Sequence, residues 1–298
     1  MMRLLELVQL TALMERTEGS ADVRIGLVDG PVAMRHPELA RDRVRSMTGT
    51  MDGTCAQLDS FACRHGTFVA GILLAARSSR APAICPGCTL LIRPVFTESS
   101  ARNEEIPVAT PMQVAAAISD CITAGTRVIN LSLGLGHPST QGDQALQEVL
   151  NRAARRGVIV IAAAGNQATL ATSAITRHPW VIPVTACDRH GMPMDASNLG
   201  NAIGRRGLRA PGQSVTSLGT GGDMFTSGGT SAAVAFVTGT VALLWSVFPA
   251  ATATQIKLSI TGAVSSRRAS VVPPLLNAAM AHRALADSIV GRRLRDRK

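Results

Sequence analysis

The chain predicts an α/β fold, a mostly parallel central sheet with helices on both faces. Two observations carry this reading. Short β-branched runs alternate with Ala-rich stretches of helical spacing. The apolar fraction, 46% of 298 residues, is large enough for a sizeable core, while charged residues make up only 17%. Aromatics are 3% and Tyr is absent, so aliphatic side chains and Ala must fill that core. A disordered chain is excluded by the same arithmetic. The length suits one large domain.

The elements follow in chain order. Leu4, Leu5, Val8, Leu10, Ala12 and Leu13 recur at helical spacing, interrupted by Glu6, Gln9 and Glu15. Residues 1–20 therefore read as an N-terminal amphipathic helix rather than the continuous apolar stretch of a secretory signal. A cytoplasmic location with mostly reduced cysteines is the corresponding expectation. Residues 23–28 form a first strand, closed by Asp29-Gly30-Pro31. Further strands are expected over 89–96, 127–132, 158–162 and 180–186. Thr110 caps a helix with Pro111 at its first position and Val114, Ala117, Ile118, Cys121 and Ile122 on its apolar face. A second helix covers 144–156 and ends at Gly157. A third, 232–247, is apolar all round and so should be buried; Pro249 stops it. Residues 46–60 and 97–109 are polar and irregular, and read as surface loops. No apolar run reaches the roughly 18 residues of a membrane-spanning helix, and no membrane partner is expected.

The net charge of +10 suggests a polyanion until it is located. Residues 264–298 hold eight basic and two acidic residues, and the rest of the chain 22 and 18. The body is nearly balanced, and residues 288–298 read as a solvated basic tail. With so few aromatics to stack bases, no nucleic-acid partner is expected. The oligomeric state is not legible.

Three features sit where such a sheet gathers its sites, at the carboxyl ends of strands. Asp29 ends the first strand. His65 opens a helical stretch, in His65-Gly66-Thr67. Ser231 lies in a Gly-rich turn, Ser227-Gly228-Gly229-Thr230-Ser231, at the start of the long buried helix. A serine hydroxyl is a weak nucleophile that needs a base to take its proton and a carboxylate to orient that base. Small neighbours leave it accessible, and the helix N-terminus adds a favourable dipole. Each feature alone is commonly a turn, a cap or a surface residue; their order and contexts together carry the weight.

With Ile25-Gly26-Leu27-Val28-Asp29-Gly30, His36-Pro37-Glu38-Leu39, His65-Gly66-Thr67-Phe68-Val69-Ala70-Gly71, Val128-Ile129-Asn130-Leu131-Ser132-Leu133-Gly134, Ala163-Ala164-Gly165-Asn166, Ala210-Pro211-Gly212 and Gly229-Thr230-Ser231, the chain resembles the subtilisin-like serine proteases over about residues 23–287. The order Asp, His, Ser is that of subtilisin. The resemblance implies a subtilisin-like three-layer fold in a peptidase domain of residues 21–287, and hydrolysis of peptide bonds by a serine endopeptidase. It makes Asp29 the orienting carboxylate, His65 the general base and acid, Ser231 the nucleophile and Asn166 the oxyanion-hole side chain. It makes Ser132, Leu133 and Gly134 the segment that pairs with substrate backbone. Together with Ala163, Ala164 and Gly165 these wall the pocket for the residue before the scissile bond. It implies a peptide or protein substrate and no cofactor. A narrower similarity, carried by Asp29-Gly30-Pro31-Val32 and the missing helix proline, is to proteases that mature cyanobactin-type precursor peptides. An acidic precursor would suit the basic tail.

The chain departs from that pattern at Gly30, where Ser or Thr is usual, at Phe68, where His is usual, and at Ala232-Ala233-Val234-Ala235 after the nucleophile. These changes motivate a non-catalytic peptide-binding module as an alternative. Cyclisation of a peptide is a second one, although the 35 residues between Asp29 and His65 leave no room for a large capping insertion. About 22 residues precede the first strand, fewer than a folded pro-segment needs. The loop over 77–82 offers no Asn, Asp or Glu, so the family's calcium site is expected to be missing and no metal is assigned. Cys55, Cys63, Cys85 and Cys88 admit three readings: free packing residues, a disulfide in either pair, or a four-ligand zinc site. Arg177 is the candidate for the pocket floor, where it would favour an acidic side chain.

Overall fold

The computed structural model describes residues 2–47, 51–98, 108–135, 140–262 and 270–295. Arg267 and Arg268, the end of the basic tail (296–298) and parts of both expected surface loops lie outside them.

The N-terminal segment is two short helices, not one: α1 (Met2–Leu7) and α2 (Thr11–Arg16). Gln9 breaks them with φ 51°, and Val8 and Leu10 at the corner are fully buried. Next come β1 (Arg24–Asp29), β2 (Val44–Ser46), α3 (Phe61–Leu74), β3 (Thr89–Pro94), β4 (Val108–Ala109) and α4 (Pro111–Thr123). After these lie β5 (Val128–Leu131), β6 (Gly134–Leu135), α5 (Thr140–Arg156), β7 (Ile159–Ala163), α6 (Ala174–Arg177) and β8 (Ile182–Cys187). The rest is α7 (Asn201–Arg206), β9 (Leu208–Pro211), β10 (Val215–Leu218), β11 (Met224–Ser227), α8 (Thr230–Val247), α9 (Ala253–Thr261) and α10 (Ala278–Arg295). The Thr110 cap is a full capping box, with Gln113 reaching back to the Thr110 backbone.

Seven strands form one parallel sheet in the order β2-β3-β1-β5-β7-β8-β9. Side chains alternate along each strand between two cores. Ile25, Leu27, Val128, Ile159 and Ile161 face the layer of α3 and α8, whereas Val28, Ile129, Leu131, Val160 and Ala162 face α4 and α5. Burial on both faces is what the short aliphatic runs require. Helix α8 has the length and hydropathy of a membrane span, contrary to the expectation that no segment does. It is nevertheless buried among α3, β5, β7, β8 and β9.

From β1 the sheet continues to β3 on one side, with β2 beyond it at the edge, and to β5 on the other. The reversal of strand order at β1 opens a crevice at the carboxyl ends of β1 and its neighbours. At the other end of the chain, α10 runs across the expected boundary at 287 as far as Arg295, so residues 288–295 continue a helix and are not a separate tail. Its Leu285 is buried, and Ala278 N–H donates to the Val8 carbonyl at 2.9 Å. Arg77, in the oxygen-poor loop after α3, donates to the carbonyls of Met14 (3.0 Å), Thr17 (3.2 Å) and Ile84 (3.0 Å).

Candidate active site

Asp29 is the last residue of β1 and is fully buried. His65 sits in the second turn of α3, which Ser60 caps by accepting the Cys63 N–H at 3.1 Å. The helix thus begins four residues before His65, earlier than the sequence suggested. Strand and helix meet backbone to backbone. A Cβ on Gly30 would fall on the Ala62 carbonyl oxygen, and one on Gly66 would fall on the carbonyls of Pro31 and Gly30. The family's Ser or Thr has no room at position 30 in this packing. The close approach puts His65 Nδ1 2.6 Å from Asp29 Oδ1. With that nitrogen donating, Nε2 is left as the basic atom. Asp29 Oδ1 also accepts the Gly30 N–H at 2.6 Å. Burial works against protonation of His65, but the charge of Asp29 and its hydrogen bond outweigh it and hold the imidazole above its usual 6.5.

Ser231 is the second residue of α8. Gly229 precedes the helix with φ 99°, in the left-handed region glycine favours, and offers no side chain as a cap. Asn166 supplies the cap from the loop after β7: its Oδ1 accepts the Thr230 N–H at 3.0 Å. That bond fixes the amide and leaves Nδ2 as a donor beside the nucleophile. A chain of bonds braces the other side. Thr238 Oγ1 donates to Asn130 Oδ1 (3.0 Å), Asn130 Nδ2 to Ser132 Oγ (2.7 Å), and Ser132 Oγ to the Ser231 carbonyl (3.4 Å).

His65, Ser231 and Asn166 line one pocket, whose walls include Ser132, Leu133, Gly134, Ala163 and Gly165. Two expectations need correction. Ala164 does not line the pocket; it is buried, and its N–H donates to the Val184 carbonyl at 2.9 Å. Arg177 is exposed on α6 and is not a pocket residue. Gly134, expected to pair with substrate, is registered with Val108 in the short β4–β6 ladder, while Ser132 and Leu133 stay outside it. Sequence reasoning missed Phe61, Phe96, Gln167 and Thr230 as lining residues. Phe96 follows a strand end and Gln167 follows Asn166, and those placements were the available signals.

Cys55 and Cys63 form a disulfide that ties the preceding loop to the first turn of α3. Cys85 and Cys88 are buried thiols and do not join that pair, so the four-ligand zinc set is not assembled. Glu98 closes the same loop, accepting from Ala56 N–H (2.8 Å), Gln57 N–H (3.0 Å) and Ser60 Oγ (3.2 Å).

A buried carboxylate, an oriented imidazole, a serine at a helix N-terminus and a free amide donor make up a serine-nucleophile acyl-transfer site. The chain belongs to the subtilase family, whose model (Peptidase S8) matches residues 20–283. It is 33% identical over 197 residues to the thermostable alkaline protease of Halalkalibacterium halodurans, covering 66% of this chain and 51% of that protein. The chain thus spans about half the length of that relative. Among solved structures it is similar to a mutant of the protease domain of PatA, a patellamide maturation protease (TM-score 0.79, 28% identity, 91% of this chain and 97% of the other). It is equally similar in fold to the prenylagaramide maturation protease PagA (TM-score 0.79, 25% identity, 93% and 98%).

Proposed function

We propose that the chain is a serine endopeptidase that cleaves peptide bonds through an acyl-enzyme on Ser231. The observation that carries this is the convergence of Asp29–His65, Ser231 and Asn166 on one pocket. His65 Nε2 takes the Ser231 Oγ proton as Oγ attacks the scissile carbonyl. The negative charge on the carbonyl oxygen is met by Asn166 Nδ2 and the Ser231 N–H. Collapse of the tetrahedral adduct breaks the C–N bond, and His65 returns the proton to the departing amine. Water then repeats the sequence on the ester, releasing the acid and restoring Ser231.

The substrate belongs to the ribosomally made precursor peptides, a reading supported by the similarity to PatA and PagA. An acidic peptide would suit the basic C-terminal segment, where residues 264–298 hold eight basic residues against two acidic ones. A cytoplasmic location goes with this reading; the Cys55–Cys63 disulfide counts against it, and cell fractionation tests it. The central test is covalent labelling with a fluorophosphonate. Wild type should label and Ser231→Ala should not; equal labelling overturns the assignment. Product masses that include one added water identify hydrolysis, whereas products lacking it identify ring closure.

A further inference from the structure

A second cavity, about 280 Å³, also borders the His65 imidazole. It is lined by Phe61, Arg64, His65, Phe68, Phe225 and Ser227, and shares only Phe61 and His65 with the pocket that holds Ser231 and Asn166. Phe61 stacks on the imidazole with ring centroids 5.9 Å apart, so the two rings together form the wall between the cavities.

The chemistry of the reaction orders these spaces. The carbonyl carbon stays with Ser231 and its oxygen with Asn166. The amine must leave past the imidazole that protonates it, on the side away from the oxyanion donors. The second cavity therefore receives the peptide on the leaving side of the scissile bond.

Its lining sets three Phe rings against three polar side chains, Arg64, His65 and Ser227. Phe68 and Phe225 meet edge to face, with centroids 5.9 Å apart, and Phe68 is buried. The charged group in this setting is Arg64, one residue before His65 on α3. No carboxylate lines the cavity. The Arg64 side chain makes no ion pair or hydrogen bond among the described residues, and its Nε is buried without a partner. A guanidinium in a cavity lined by three Phe rings, with its terminal N–H groups unpaired among the described residues, is a receptor for a carboxylate, which can take two N–H groups at once.

We propose that Arg64 is a specificity-determining residue that selects an acidic side chain within the first two residues after the scissile bond. This rests on the serine-protease reading above. It also assigns the acid preference to the leaving side, where the sequence had suggested the basic tail or Arg177.

Peptides that differ only by Glu, Gln or Lys at each of those two positions test it. For wild type, kcat/KM should favour Glu over Gln by about tenfold at one of them. Arg64→Gln should bring that ratio to about one, and Arg64→Glu should turn the preference to Lys. The ratio is internal to each variant, so a general loss of activity does not imitate the effect. Equal rates for Glu and Gln at both positions in wild type, or an unchanged ratio in Arg64→Gln, overturn the proposal. If the variants do not fold, raising the salt concentration should shrink the wild-type ratio, and an unmoved ratio overturns it. Binding to Ser231→Ala needs no turnover: Glu peptides should bind tighter than Gln peptides, and equal Kd values overturn the proposal. A protein that labels on Ser231 and cleaves but ignores the acid defeats the Arg64 assignment alone. A protein that neither labels nor cleaves defeats the protease reading.

Discussion

Asp29 Oδ1 serves two donors at once, His65 Nδ1 and its own neighbour Gly30 N–H, each at 2.6 Å. The second bond holds the carboxylate still while the first orients the imidazole. The interaction with Asp29 also raises His65 above its usual 6.5. Only the neutral imidazole can take the Ser231 proton. The value of kcat/KM should therefore climb with pH along a limb centred above 6.5. Asp29→Asn removes the charge and leaves burial, which acts in the other direction, so the limb should move down. Turnover should fall by about 10⁴-fold, as in related triads. A pH–rate profile for the two proteins checks both expectations; a limb that does not move contradicts the geometry.

Asn166→Ala should lower kcat by about 10²–10³-fold with little change in KM, the magnitude seen for this donor in subtilisin itself. Here the side chain also caps α8 through Thr230. The variant should consequently lose about 1 kcal/mol of stability as well. Steady-state kinetics together with urea unfolding separate the two effects.

Gly30→Ser restores the residue usual in the family and should be harmful here. The new Cβ meets the Ala62 carbonyl, so β1 and α3 must part. A loss of about 1–3 kcal/mol is expected from such overpacking. Because the same contact sets the Asp29–His65 distance, activity should drop with it. Unfolding curves and kcat/KM on one preparation provide the measurement, and a variant as stable and active as wild type would refute the account.

Arg77 ties the loop after α3 to the end of α2 through the Met14 and Thr17 carbonyls, and closes its own loop through the Ile84 carbonyl. Arg77→Met keeps the stem and deletes the donors, and should cost about 2–3 kcal/mol. Added chelator should leave the wild-type melting temperature unchanged, since this joint is made by a side chain. A melting temperature that falls in chelator would show that a bound cation contributes instead.

Much of the central sheet was legible because β1, β3, β5, β7 and β8 are aliphatic runs ended by turns, and burial on both faces demands that composition. Strands β2 and β9 were not. The first is three residues long on the sheet edge, and the second, Leu208-Arg209-Ala210-Pro211, mixes Arg and Pro at the opposite edge, where such residues are tolerated. Helix α9 carried a readable sign, the Thr252–Gln255 capping box, that went unused. The start of α3 was hidden because Ser60 caps it without an acid or amide three residues on. Asp29, His65, Ser231 and Asn166 were legible because their chemistry demands those residue types in that order, with Asp29 at a strand end and Ser231 at a helix start. Ala164 was misjudged because three consecutive small residues do not reveal which of them turns inward. The choice among the cysteine pairings depended on three-dimensional distance, which spacing does not encode.

The shared wall of Phe61 and His65 has a consequence for how such an enzyme can diverge. The surfaces that meet the two halves of a substrate share these two side chains and otherwise draw on different segments, the β5 and β7 loops on one side, α3 and β11 on the other. A change in one surface can be accepted without a compensating change in the other. A lineage could thus keep its recognition of one cleavage product while drifting to a new partner for the second.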